Sequence, residues 1–315
     1  MKKIVMALVM AAATTAMALD MPQELKGKVI KVVSPVTPGG LIDTRIRPIM
    51  SVIEKQTGLE MVMINMQGNN QGIGTTHVAN SKPDGLTIGF TTSPTSIVYD
   101  LVKGIGHPSR EDFVPFVAVY EYIQAISVPY NAPFNTLKEA VAYVNANKGK
   151  LNYAFMNAES ALAFEEVFKN AVVGVPVKNW GEVAILMKQG DMSFMLTNVG
   201  TAVEQEKNKQ TKIIAVTSAK RHPTLPNVPA VSEVFPGFGM KTVVAMYAPK
   251  NTPQHILDYL NEAFVNANKS TEIQEMYTRY DHQPYYLNVE QSRVVIDKEY
   301  NHFSRLLKST GVKIK

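Results

Sequence analysis

Cysteine is absent from this 315-residue sequence, and everything a thiol could do is excluded with it. There is no disulfide scaffold, no thiolate metal site, no cysteine nucleophile and no N-terminal cysteine for lipid attachment. The chain exceeds the ~250 residues at which single cores stop growing, so two domains are expected, with a core that needs no staples. Tryptophan is nearly missing as well, Trp180 being the only one. Charge of one sign is scarce: 32 Lys and Arg against 27 Asp and Glu leave a formal +5. That is too mild and too evenly spread to argue for nucleic acid. Beyond the N-terminal segment no apolar run reaches the ~18 residues of a membrane span.

Catalytic and metal-binding patterns are equally sparse. The histidines are His77, His107, His222, His255, His282 and His302, and none forms an H-x-H or H-x-x-x-H pair. No acidic loop has calcium spacing, and no G-x-S-x-G elbow occurs. Residues 68–74 lack the G-x-G-x-x-G spacing, and no Walker lysine follows. Neither a metal nor another cofactor is expected.

What is present begins with an export signal. Lys2 and Lys3 precede an apolar stretch over 4–13, and Ala16-Met17-Ala18 is an A-x-A cleavage site. Removing residues 1–18 takes away two lysines and no acids, lowering the formal net charge from +5 to +3. A cysteine-free chain exported this way is expected as a soluble protein in the periplasm, with secretion as the alternative.

After the signal, short apolar runs alternate with helical patterns. Strands are predicted over 28–33, 59–64, 86–91, 123–128, 151–155, 175–177, 192–196, 213–217 and 242–247. A helix is predicted from Ile42 to Gly58, with Pro48 kinking it or delaying its start. Further helices are expected over 72–80, from a Thr136/Glu139 capping box to Gly149, and over 160–171, 270–280 and 289–308, with Pro253 in the first turn of another. Strand–helix–strand alternation implies a mostly parallel sheet.

Three loops each follow a predicted strand and open a predicted helix: 36–43, 65–76 and 178–182. Free N–H groups and the positive end of the helix dipole meet at such starts, which suits an anion without a cationic side chain. Asp43, in the first helical turn, can accept backbone N–H bonds and order its loop. Arg45 and Arg47 read as a solvated helix face, since arginine is seldom buried unpaired.

Residues 28–315 resemble the Bug family, the periplasmic substrate-binding proteins of tripartite tricarboxylate transporters. The resemblance rests on Pro35, Gly39, Gly40 and Asp43; on Asn65, Gly68, Ile73 and Gly74; on Pro83-Asp84-Gly85; on 150–154; and above all on 215–221 followed by Leu225-Pro226-Asn227-Val228-Pro229, with Ala248-Pro249 and Thr252-Pro253. It implies an α/β fold of the periplasmic-binding-protein type, a type II-like Venus flytrap with two α/β domains and a central ligand cleft. Domain 1 would comprise 19–123 and 242–315, and domain 2 124–241, with crossings near Gln124 and Lys241. The implied site takes Val36, Thr37, Pro38, Gly39, Gly40 and Asp43 from the first loop, and Asn69, Asn70, Gln71 and Gly72 from the second. Thr92 and Ser93, Phe155 and Asn157, Asn179 and Trp180, and Asn198 complete it.

The sequence departs from the family pattern at Leu41 and Ile42, at Asn69–Gln71, at Phe155-Met156-Asn157 and at Lys178-Asn179-Trp180. These changes make the cleft bulkier and more aromatic, so an aromatic carboxylate joins the di- and tricarboxylates as a candidate ligand. The expected function is capture of a small carboxylate for the membrane subunits of a transporter, by a monomer with no enzymatic activity. Sensing through a membrane histidine kinase, or a periplasmic hydrolase or isomerase on the same fold, are the alternatives.

Overall fold

The computed structural model describes residues 19–69, 71–93, 108–155, 158–177 and 180–309. Residues 1–18, and with them the expected signal, lie outside that set. Val and Ile build β1 (Val29–Ser34), where Ile30 and Val32 are fully buried and Val29 is exposed. That is the two-residue period of a strand with one face on a core. In α1 (Asp43–Thr57) the stripe Ile46, Ile49 and Ile53 is fully buried. The helix runs through Pro48 and starts ahead of it, and Gly58 ends it with a left-handed backbone and an N–H bonded to Glu54 O. β2 (Glu60–Asn65), α2 (Gly72–Ala79) and β3 (Thr87–Thr92) follow, with β2 and β3 parallel to β1 on either side.

β4 (Phe113–Tyr122) was not anticipated from sequence. All five residues from Phe116 to Tyr120 are fully buried, so the strand shows no polar–apolar alternation, and Pro115 lies within it. The chain then passes directly into β5 (Gln124–Pro129) and a second lobe. That lobe comprises α3 (Leu137–Ala146), β6 (Asn152–Phe155), α4 (Ala158–Phe168), β7 (Val173–Pro176), α5 (Trp180–Gln189), β8 (Met195–Asn198), α6 (Val199–Lys207) and β9 (Thr211–Val216). The capping box at α3 is half made. Thr136 Oγ1 accepts the Glu139 N–H at 3.2 Å, while Glu139 Oε2 accepts from Asn135 N at 2.7 Å rather than from Thr136. The chain returns as β10 (Thr242–Pro249), α7 (Gln254–Asn268), α8 (Thr271–Tyr280), β11 (His282–Pro284) and α9 (Val289–Ser309), with Pro253 as the N-cap residue of α7.

The first sheet has the order β11-β4-β10-β3-β1-β2. It is mixed rather than mostly parallel: β10 runs antiparallel to both β3 and β4, and β11 antiparallel to β4. The reason is topological. β4 leaves for the second lobe at the sheet edge where β10 re-enters, so the two must point in opposite directions. In the second lobe β5 is antiparallel to β8 and β9, and β6 pairs parallel with β7. Each lobe has its own apolar core, one around Ile49, Phe90, Phe116 and Phe264, the other around Ile126, Phe164, Phe194 and Leu196. α9 joins both, with Val289 in the first and Phe303 and Leu307 in the second.

The crossings are tied to each other. Thr217 is fully buried, and its hydroxyl accepts from Gln124 N at 3.2 Å and donates to Met240 O at 2.9 Å, while its carbonyl accepts from Met240 N at 2.7 Å. Thr217→Val keeps the shape and strands those groups in the interior. We expect it to lower unfolding free energy by about 1–3 kcal/mol, the cost of buried groups left without partners. Urea denaturation measures this, and an unchanged midpoint would remove the clasp from the fold's supports.

A charged cluster flanks the same crossing. Lys241 Nζ donates to Glu121 Oε2 at 2.6 Å and to Tyr285 Oη at 3.0 Å, and lies 3.9 Å from Glu299 Oε1 on α9. The Tyr285 hydroxyl donates to Glu121 Oε2. Among the described residues Glu299 Oε2 is buried without a partner.

Candidate carboxylate-binding cleft

The loop after β1 turns on a glycine pair. Gly39 takes φ +73, and a Cβ on Gly40 would sit 2.9 Å from Thr37 O. Gly40 N in turn donates to Thr37 O at 3.0 Å. Val36 packs against the first core, while Thr37, Pro38 and Gly39 are exposed. Asp43 holds the loop from below and is 1% exposed. Its carboxylate accepts from Gly39 N at 3.0 Å, from Arg47 Nε at 2.8 Å and Nη2 at 3.1 Å, from Asn65 Nδ2 at 2.8 Å and from Ser34 Oγ at 3.4 Å. Burial pushes its pKa up, but Arg47, Asn65 and Gly39 outweigh burial and the net shift is downward. Asn65 also donates to Val36 O at 3.2 Å and accepts from Arg47 Nη2 at 2.9 Å. Asn65 belongs to a motif that carries the family resemblance but is not among the expected site residues. Its register partner Ser34, at the end of the paired strand, was the available signal.

The loop after β2 is held by unusual backbone. Asn69 and Gln71 adopt φ of 45 and 76, and Gly72 N donates to Asn69 O at 2.8 Å. Gln71 Oε1 accepts the Thr91 hydroxyl at 3.1 Å, so Thr91 of β3 is a polar neighbour of this loop that sequence reasoning missed. Thr92 and Ser93 are buried, and Ser93 Oγ accepts from Val243 N at 3.2 Å, tying the end of β3 to β10. All these loops leave the carboxyl ends of β1, β2 and β3, at the sheet edge where the chain crosses between lobes. Ligands of open α/β sheets bind at such edges.

From the second lobe, Phe155 ends β6 and packs on that lobe's core beside Tyr153, ring centroids 6.0 Å apart. Asn198 is the N-cap of α6: its Oδ1 accepts Thr201 N at 3.0 Å and its Nδ2 donates to Thr201 Oγ1 at 2.9 Å. Asn70, Asn157 and Asn179 lie outside the described residues, and Trp180 is placed only as the first residue of α5.

A mostly apolar cavity of about 360 Å³ opens beside α2. Gln71, Gly74, Thr75 and Thr91 line one side, and Phe113, Tyr247 and Tyr300 another. Among the described residues, Gln71 is the one expected site residue that borders it. Arg110 and Asp297, an ion pair, stand at its wall.

The arginines of α1 part company. Arg47 is half exposed and pairs with Asp43. Arg45 is 8% exposed, which overturns its reading as part of a solvated face. Its guanidinium carbon lies 3.3 Å from the centroid of the Tyr280 ring. A cation–π stack supplies part of what solvent would have given.

No group of His, Asp or Glu able to hold a metal ion occurs among the described residues, and no described helix is long and apolar enough to cross a membrane. Residues 46–312 match the family described as the tripartite tricarboxylate transporter family receptor, TctC. The chain belongs to the TctC family. BugT of Bordetella pertussis is 25% identical over 295 residues, covering 91% of this chain and 90% of BugT. The solved structure of the periplasmic binding protein BugD is 26% identical with a TM-score of 0.80, covering 91% of this chain and 99% of that one. MatC from Rhodopseudomonas palustris, solved with bound malate, is 25% identical with a TM-score of 0.78, over 90% and 99% of the two chains. This TctC chain therefore has the two-domain periplasmic-binding-protein fold with a central cleft, and it is a periplasmic solute-binding protein.

Proposed function

We propose that this TctC protein captures a small carboxylate between its lobes and delivers it to the membrane subunits of a tripartite tricarboxylate transporter. One observation carries the proposal. The N-cap residues of α1 and α2, Ile42 and Gln71, make no side-chain cap hydrogen bond, whereas Asn198 and Ser270 cap α6 and α8. A third uncapped start, that of α7, has Pro253 as its N-cap, and the two at the cleft edge are those of α1 and α2, where a carboxylate can take the place of a cap. The malate bound to MatC supports the ligand class. A di- or tricarboxylate fits this reading, and an aromatic carboxylate fits the bulk of Gln71, Phe155 and Trp180. In this reading residues 19–123 and 242–315 form one domain and 124–241 the other, residues 1–18 are removed on export, and the mature protein works as a monomer without turnover.

Mass spectrometry of co-purifying small molecules, followed by a thermal-shift screen of malate, citrate and benzoate, tests the proposal. A true ligand at 100 times its dissociation constant raises stability by about 2.7 kcal/mol. Stabilisation by none of them, or conversion of the ligand during incubation, would overturn it.

Trp180 offers a direct reporter, being the only tryptophan. Its emission is expected to shift on ligand binding, and Trp180→Ala to weaken binding by roughly 1–3 kcal/mol through lost aromatic contact. Calorimetric titration of the variant checks this. A loss of folding stability with unchanged affinity would place the ring outside the site.

A further inference from the structure

Among the described residues Arg45 stacks on Tyr280 and has no carboxylate partner for its charge. Among the described residues its Nε is buried without a hydrogen-bond partner, and its Nη1 donates to the neighbouring Thr44 hydroxyl at 2.7 Å. Among the described residues no carboxylate forms an ion pair with it. Asp43, two residues earlier, is taken by Arg47 and Asn65. Asp281, one residue beyond Tyr280, turns toward the second lobe, where its carboxylate lies 3.4 Å from His222 Nδ1 and accepts from Thr224 Oγ1 at 3.2 Å. Removing one partner from a buried charge is strongly unfavourable, so a guanidinium in this setting calls for an anion from elsewhere.

The orphaned atoms are not scattered. Among the described residues Tyr120 Oη and both ring nitrogens of His282 are also buried without a well-formed hydrogen bond, the Asp281 backbone being the one hydrogen-bonding neighbour that acts on the imidazole. Their rings stack with centroids 4.9 Å apart, and Arg45 acts electrostatically on both. Burial first, and then the Arg45 charge, hold His282 down at about 4, with the Asp281 backbone opposing weakly. His282 is therefore neutral at physiological pH and can donate from one ring nitrogen without adding charge. Tyr120 stays protonated and keeps its O–H to give. The site borders the second lobe, since a Cβ on Gly200 at the start of α6 would sit 3.1 Å from Tyr280 O.

We infer that Arg45, Tyr120 and His282 form a second anion site, between the first turn of α1 and the β4–β11 pair, accepting a small anion the size of a halide or a formate-like carboxylate group. The guanidinium supplies the charge, and the phenol and imidazole supply neutral donors.

Crystals of the mature chain soaked in sodium bromide test the inference directly. An anomalous peak is expected within contact distance of the Arg45 guanidinium. Formate that displaces the peak shows that the site takes carboxylates; formate without effect assigns it to halides. In solution, bromide should raise the melting temperature of the wild type, and Arg45→Met should raise the apparent bromide dissociation constant at least tenfold. Should that variant fail to fold, Tyr120→Phe removes a single hydroxyl and is expected to weaken bromide several-fold. No peak at Arg45, together with melting that ignores bromide in the wild type and in Tyr120→Phe alike, overturns the inference.

Discussion

Asp43→Ala is expected to lower the unfolding free energy by about 2–4 kcal/mol at pH 7. A lost helix cap alone would cost about 1 kcal/mol, which is all the sequence suggests. The structure raises the figure because one buried carboxylate serves Gly39, Arg47, Asn65 and Ser34 together. Its removal leaves the Gly39 N–H without its acceptor and leaves the Asn65 amide with only Ser34 Oγ and Val36 O. Arg47 is half exposed and recovers water, which keeps the loss below that of a fully buried pair. The sign of the pH dependence follows from the depressed pKa of Asp43. Its stabilisation is fully present above the unfolded value near ~3.9 and is lost as pH falls through the lower folded value. Urea unfolding of both proteins at pH 7 and pH 3 should therefore show a gap that narrows with acid. Ligand affinity should fall through disorder of the glycine loop. Undiminished stability with abolished binding would instead make Asp43 a direct ligand contact.

Glu299→Gln is expected to act in the opposite direction, stabilising the protein by about 1–3 kcal/mol at pH 8 and by almost nothing at pH 5. Burial pushes Glu299 up to about 7 from 4.5, with Lys241 opposing and Glu121 adding to the shift. The native state thus holds a proton that the unfolded chain gives up earlier. The benefit of that proton is complete below about pH 4.5 and is gone once pH passes about 7. Above that point two carboxylates share Lys241 in a confined space. Glutamine preserves the shape and removes the second charge. Thermal melts from pH 5 to 8 should show the wild type losing stability across the range, with the variant losing less. Parallel curves would place the Glu299 titration elsewhere.

Sequence made the glycine loop, the Asp43 anchor and most element positions legible because each is a local signal. Gly58 stops α1, the isoleucine stripe fixes its buried face, and Gly39 and Gly40 set the turn before it. β4 escaped because a strand buried on both faces has no alternation to read. The mixed sheet escaped because strand direction there follows from where the chain re-enters after a long excursion, which no short window contains. Arg45 escaped because its burial depends on Tyr280, which lies far along the chain. Thr91 was passed over for Thr92, one position away on a strand whose two faces point to different neighbours.

α9 has a mechanical consequence. It is a single 21-residue helix of about 32 Å at 1.5 Å per residue, with Val289 seated in one core and Phe303 and Leu307 in the other. Two crossing strands on their own would act as a free pivot. A rod riveted at both ends turns that pivot into a linkage with a fixed third side. The angle between lobes then changes only as far as the sockets of Phe303 and Leu307 let the rod rock, which converts side-chain packing far from the cleft into a stop for its opening.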